Sequence, residues 1–303
     1  MPGRRGRDVG ALQGRPPGPG KIPLVTPVPD ATARAPHVRA AAPAAAALGV
    51  LVWCIAFMGP IDLSVPLVPL EDFYNHYLVE ASWGLLYTVL LAVPTAVLVF
   101  RPAHDVAAQQ VLAVAFALAI GAAAAPEFGH LVPAGIALGL VAAVRALHGV
   151  PALPTDPQRR LSRRDLPAAV VVLAGIVPAV AMASQAIDAY RDPTVSADVT
   201  QNLDHWPAQA AFALALVLVG GLAVLATRGV WLPATTAAVS AVWFGGTSIA
   251  FPGHDGSLGV TGGWIAVAWG LALLVGVLAR RPRTGAEPRD HRDEPRPAGP
   301  PRR

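Results

Sequence analysis

Asn75-His76-Tyr77-Leu78-Val79-Glu80-Ala81 returns in altered form as Asp204-His205-Trp206-Pro207-Ala208-Gln209-Ala210. Both copies read as a small polar capping residue, a His, an aromatic, two spacers, Glu or Gln, then Ala. Each opens a long apolar segment. Gly129-His130 follows the first copy and Gly253-His254 the second, while Ile61-Asp62 and Ile187-Asp188 precede them. Self-similarity at matched points implies an internal duplication, so the fold follows from what one copy must be.

Composition says what that is. Of 303 residues, 54% are hydrophobic and 14% charged, with a mean hydropathy of +0.50. A soluble domain carries about 25% charged residues, so this chain cannot cover a soluble surface and reads as a multi-pass membrane protein. About 20 apolar residues cross a bilayer as a helix. Eight such segments are expected, near 40–60, 77–100, 106–125, 130–149, 167–187, 206–227, 231–250 and 260–280. The fold class is therefore all-α, with eight transmembrane helices arranged as two duplicated four-helix bundles, 40–149 and 167–280. An even number of helices per half inserts both halves in the same direction, the parallel-repeat case. Residues 1–39 and 281–303, rich in Pro and Arg, read as disordered cytoplasmic tails, and 150–166 as a cytoplasmic linker.

Charge distribution supports that topology. With both termini inside the cell membrane, Arg191 alone of the 23 basic residues falls on the outer side, as the positive-inside rule demands. Arg145 would snorkel from the inner end of the fourth helix. The basic balance is then topology and contact with anionic lipid, not nucleic-acid binding, for which no motif is present. Cys54 is the only cysteine, which excludes an internal disulfide. The Ala-, Gly- and Pro-rich composition, with one lysine (Lys21) among the basic residues, fits the coding bias of a GC-rich bacterial genome.

Four of the eight histidines, His76, His130, His205 and His254, fall at the outer ends of the even-numbered helices. Asn75 and Asp204 are good N-caps, which puts His76 and His205 in a first turn. The positive end of the helix dipole disfavours imidazolium there, and neutral imidazole is the metal-binding form. Glu80 and Gln209 sit one turn deeper on the same face, where Glu80 could orient a His, ligate a metal or carry a proton. Trp83, Tyr87, Trp206 and Trp231 fit interfacial aromatic belts. No soluble-enzyme motif occurs: there is no G-x-S-x-G, H-E-x-x-H, C-x-x-C or P-loop.

Two four-helix halves with outer-side histidines on helices 2, 4, 6 and 8 resemble the haem A synthase family. QQVLAVAFALAIG (109–121) leading into GHLVPAGIALGL (129–140) carries the likeness in the first half. The resemblance implies haem as cofactor, with His76/His130 and His205/His254 as axial pairs, Glu80 as a proton or orienting group, and redox activity. The family's Arg after the first His of each half is here Tyr77 and Trp206. A bare metal ion on the same histidines suits the acidic outer surface. Two other readings stand beside these. One is a small-substrate transporter with titrating His and Glu80, which the parallel repeat and Pro94, Pro178 and Gly245-Gly246 favour. The other is a membrane scaffold without chemistry.

Overall fold

Backbone N–H and C=O groups have no water to turn to inside a bilayer, so an apolar run must close its hydrogen bonds within itself, as a helix does. A computed structural model of the chain describes residues 36–68, 76–151, 162–192, 194–195, 199–200 and 203–279, and almost all of them are helical. The helices are α1 (Pro36–Leu51), continued by a π-helical stretch Val52–Ala56, then the short α2 (Gly59–Ser64). Next come α3 (Tyr77–Phe100), α4 (Asp105–Ala124), α5 (Leu131–His148), α6 (Leu166–Arg191), α7 (Trp206–Leu225), α8 (Trp231–Ala250) and α9 (Gly259–Leu278). A two-residue antiparallel ladder, Val199–Thr200 on Leu203–Asp204, precedes α7. The expected tails and linker lie largely outside the described residues, although helix already begins at Pro36 and Ser162–Asp165 form a capping box ahead of α6.

Six helices are long and apolar enough to cross a membrane, and a seventh span results if the bent pair Ala40–Ala56 and Gly59–Leu67 is counted as one. The expected straight helix over 40–60 is corrected here. Met58 takes a left-handed conformation with φ 52°, and Pro60 restarts the helix at its first turn, giving a 54° bend. The segment expected over 231–250 is a 20-residue helix, α8, but is not among the six. Thr235, Thr236, Ser240, Thr247 and Ser248 lower its hydropathy, and most of these polar side chains are buried against neighbouring helices.

Helix contacts form two rings. In the first, α1 touches α3 and α5, and α4 touches α3 and α5; in the second, α6 touches α7 and α9, and α8 touches α7 and α9. Between the rings, α4 packs on α7 and α3 on α8. Advancing every helix by one half reproduces the same neighbours. Small residues bring the backbones together: a Cβ on Gly245 of α8 would lie 2.6 Å from the Gly263 carbonyl oxygen of α9, and one on Gly263 would lie 2.6 Å from that of Gly245.

The seam between the rings carries a buried polar link. Pro94 has no N–H with which to close the α-helical bond to the Leu90 carbonyl, and α3 is wound as a π-helix over Leu85–Ala92 just before it. The Gln110 amide of α4 donates to that Leu90 carbonyl at 3.3 Å and to Thr236 Oγ1 of α8 at 2.9 Å. One side chain thereby ties α3, α4 and α8.

Candidate functional site

The two copies of the repeated heptapeptide fold alike. His76 and His205 stand at the N-cap positions of α3 and α7, and their carbonyls accept the N–H groups of Glu80 (3.0 Å) and Gln209 (2.9 Å). Asn75 lies outside the described residues. Asp204, expected at the N-cap with His205 in the first turn, instead lies one residue before the N-cap His205, although its Oδ1 still accepts the Trp206 N–H at 2.9 Å. Glu80 and Gln209, one turn in, are both buried, at 6% and 1% exposure. They then differ in what they meet. Gln209 Nε2 donates to the Gly256 carbonyl at 2.9 Å. Glu80 Oε2 lies 3.9 Å from His205 Nδ1, in the other half, beyond a direct hydrogen bond but close enough for charge to be felt.

His130 completes this group. It is 1% exposed, in a short 3-10 turn ahead of α5. Its Nε2 lies 2.7 Å from the Asp204 carbonyl oxygen. A carbonyl only accepts, so the proton sits on Nε2 and the lone pair on Nδ1. That Nδ1 is buried without a hydrogen-bond partner among the described residues. Trp83 packs on both imidazoles, its ring centroid 4.1 Å from that of His205 and 5.9 Å, edge-on, from that of His130. The indole N–H donates to the Phe57 carbonyl at 2.7 Å and so fixes the ring.

His254 lies elsewhere. It belongs to the turn at 251–258 and not to the start of α9, and it meets the edges of Tyr77 (5.0 Å) and Phe251 (5.1 Å), which themselves stack at 4.6 Å. The contacts thus run across the halves. His130 of the first joins Asp204 and His205 of the second, and His254 of the second joins Tyr77, next to His76, of the first. The within-half pairs expected from the sequence, His76/His130 and His205/His254, are not the ones these contacts bring together.

Sequence reasoning missed Trp83 as a site residue. Trp83, Tyr87 and Trp206 were expected in interfacial belts, yet all three are buried. Trp83 lies three residues after Glu80 and seven after His76, on one helical face, and that spacing was the available signal. Arg191, the single outer basic residue by sequence, donates to the Ala124 carbonyl at 2.7 Å and closes the end of α4.

Axial haem ligation requires two imidazoles facing each other across a slot wide enough for a porphyrin. Here an indole lies against both His130 and His205, and His254 is packed against two aromatic rings. The residues present do not fit a haem in this packing. Among the described residues no group of three or more His, Cys, Asp or Glu is placed to hold a metal ion. The chain matches no family model, no curated protein and no solved structure, so the likeness to haem A synthases rests on the sequence features alone.

Proposed function

We propose that this is a cell-membrane protein of eight spans in a 4+4 repeat, with both termini cytoplasmic, that couples a proton to the movement of a small substrate. The arrangement of basic residues supports the orientation. The identical neighbour pattern in the two rings supports the repeat, with α1 and α2 as one bent span and α8 as the most polar one.

One observation carries the functional reading: Glu80, buried in the seam, lies 3.9 Å from His205 of the opposite half. A buried carboxylate is stable when paired with a cation or when protonated. Any motion that separates the halves takes the His205 imidazole away from the Glu80 carboxylate. Transport sites of duplicated carriers lie at the repeat interface, where this pair is found. His130, held through Nε2 by the Asp204 carbonyl, packs on the same Trp83 as His205.

The test is solute flux in proteoliposomes under an imposed pH gradient, across a panel of small cations, neutral solutes and anions. Flux driven by the gradient and abolished in Glu80→Gln, with thermal stability retained, is the expected result. Gradient-independent flux in both proteins, or no flux for any solute, overturns the reading. So does a reducible Soret band in protein purified from haem-supplied cells that is lost on replacing His130 and His205 by Ala.

A further inference from the structure

The second ring carries two partly open pockets that share a wall residue. The inner one, about 120 Å³, is apolar and is lined by Met182, Ala213, Leu216, Phe244, Ile265 and Trp269 among others. The outer one, about 210 Å³, lies at the His-bearing end and is lined by Gln185, Trp206, Gln209, Asp255 and Ser257, and again by Met182. The helix faces run through both. On α6, Pro178 and Met182 line the apolar chamber, and Met182, Gln185 and Ala189 the polar one; on α7, Gln209 lines the polar chamber while Ala213 and Leu216 line the apolar one. Steps of three and four residues keep each set on a single stripe. The two pockets therefore lie at successive levels along the same helix faces, with Met182 in the wall of both. Met is the side chain best able to move aside without leaving a polar scar.

The chemistry of the walls differs sharply between levels. No polar side chain lines the inner level apart from the indole of Trp269, whose N–H is already given to the Val171 carbonyl at 2.7 Å. A cavity of this order lined by aliphatic and aromatic groups stays dry and takes a ring the size of benzene. The outer level presents amide and hydroxyl groups and one carboxylate, Asp255, and among the described residues no Lys, Arg or His lines either level. The Trp206 indole N–H in its wall has no hydrogen-bond partner among the described residues.

We propose that these two pockets together bind a small cationic amphiphile, a primary ammonium head at Asp255, Gln185 and Ser257 with a single ring or short branched chain inserted past Met182 between Ala213, Phe244 and Trp269. The carboxylate selects for positive charge. Among the described residues no cationic side chain lines the pockets to pair an anionic head, and the volume of the inner level limits the tail. Binding is independent of the proton-coupled reading, since it is measured without flux.

Isothermal titration of the full chain in detergent, against empty-micelle blanks, uses phenethylammonium, phenethyl alcohol and phenylpropionate. The expected result is saturable binding of the ammonium, weaker binding of the alcohol and none of the carboxylate. Asp255→Asn weakens the ammonium by roughly tenfold or more and leaves the alcohol unchanged. Ala213→Phe, which fills the inner level, removes both. Should Ala213→Phe not fold, Asp255→Asn, a change in a surface turn, decides alone. No saturable binding, equal binding of the three heads, ammonium binding indifferent to Asp255→Asn, or a co-purified lipid chain that the ammonium does not displace each overturns the proposal.

Discussion

His104 is a histidine tied to one protonation state by local structure. It precedes α4, and its Nδ1 accepts the Ala107 N–H at 3.1 Å, which requires the lone pair and hence the neutral ring. Burial, and then the Arg101 guanidinium, hold its pKa below the ordinary 6.5. The unfolded chain therefore binds this proton more tightly than the folded one. The cap's contribution is complete above about pH 6.5 and is lost as pH falls from there toward the lowered folded value. Thermal unfolding in detergent should shift to lower temperature between about pH 7 and pH 5, and His104→Asn, which caps without titrating, should flatten that part of the profile. An unchanged profile in the variant would assign the effect to other groups. Sequence alone does not mark this cap, because a cap depends on which neighbouring N–H the ring meets. The repeated histidines were better marked, since duplication shows which positions correspond. It does not show which half each side chain turns toward, and so the pairing across the seam of His130 with Asp204 and of His254 with Tyr77 had no signal in the sequence.

Helix ends were readable to within a few residues, as with Trp206–Leu225 and Trp231–Ala250, because Pro, Gly and the loss of apolar character mark where a lipid-facing helix must stop. The bend at Phe57–Met58 was not, since nothing in an apolar run announces a left-handed Met. The fate of Arg145 also escaped. A snorkelling arginine was expected, but the side chain is buried, pairs with Asp105 at 2.8 Å and donates through Nε to the Pro151 carbonyl at 2.6 Å. Glycines on α8 and α9 separate two roles that look the same in sequence. Gly263→Ala sets a methyl 2.6 Å from a backbone oxygen and should cost about 1–3 kcal/mol through forced separation of the helices. A Cβ on Gly246, exposed on α8, meets nothing within 4 Å, so Gly246→Ala should be neutral or stabilise by about 0.5–1 kcal/mol. Melting of the two variants side by side checks both, and equal shifts would show that backbone approach is not what Gly263 serves.

The described residues form two rings that meet along the seam of α3 and α4 with α7 and α8. The Gln110–Thr236 bond and the His130–Asp204 bond both cross it. Membrane character and helical class were evident from composition, because a chain with so few charges has no other solvent to fold in. The pockets of the second ring were not evident, since a cavity is space left over after packing and leaves no residue type behind. In the first ring the matching interior is filled by Trp53, Phe57 and Tyr87, with Phe57 and Tyr87 stacked at 4.6 Å. The halves have thus diverged in content while keeping one outline.

That His130 and His254 both reach over the seam bears on how such a chain could have arisen. Each half sends a histidine onto the other, so a single ancestral half would have met a second copy of itself through these same surfaces, as a symmetric pair of separate polypeptides. The linker would then be a later convenience that raises effective concentration and adds no contact of its own. Genes for residues 1–155 and 156–303, co-expressed, should therefore yield a complex that purifies together, whereas either piece alone should aggregate. Recovery of a well-behaved single piece would show instead that each ring is self-sufficient.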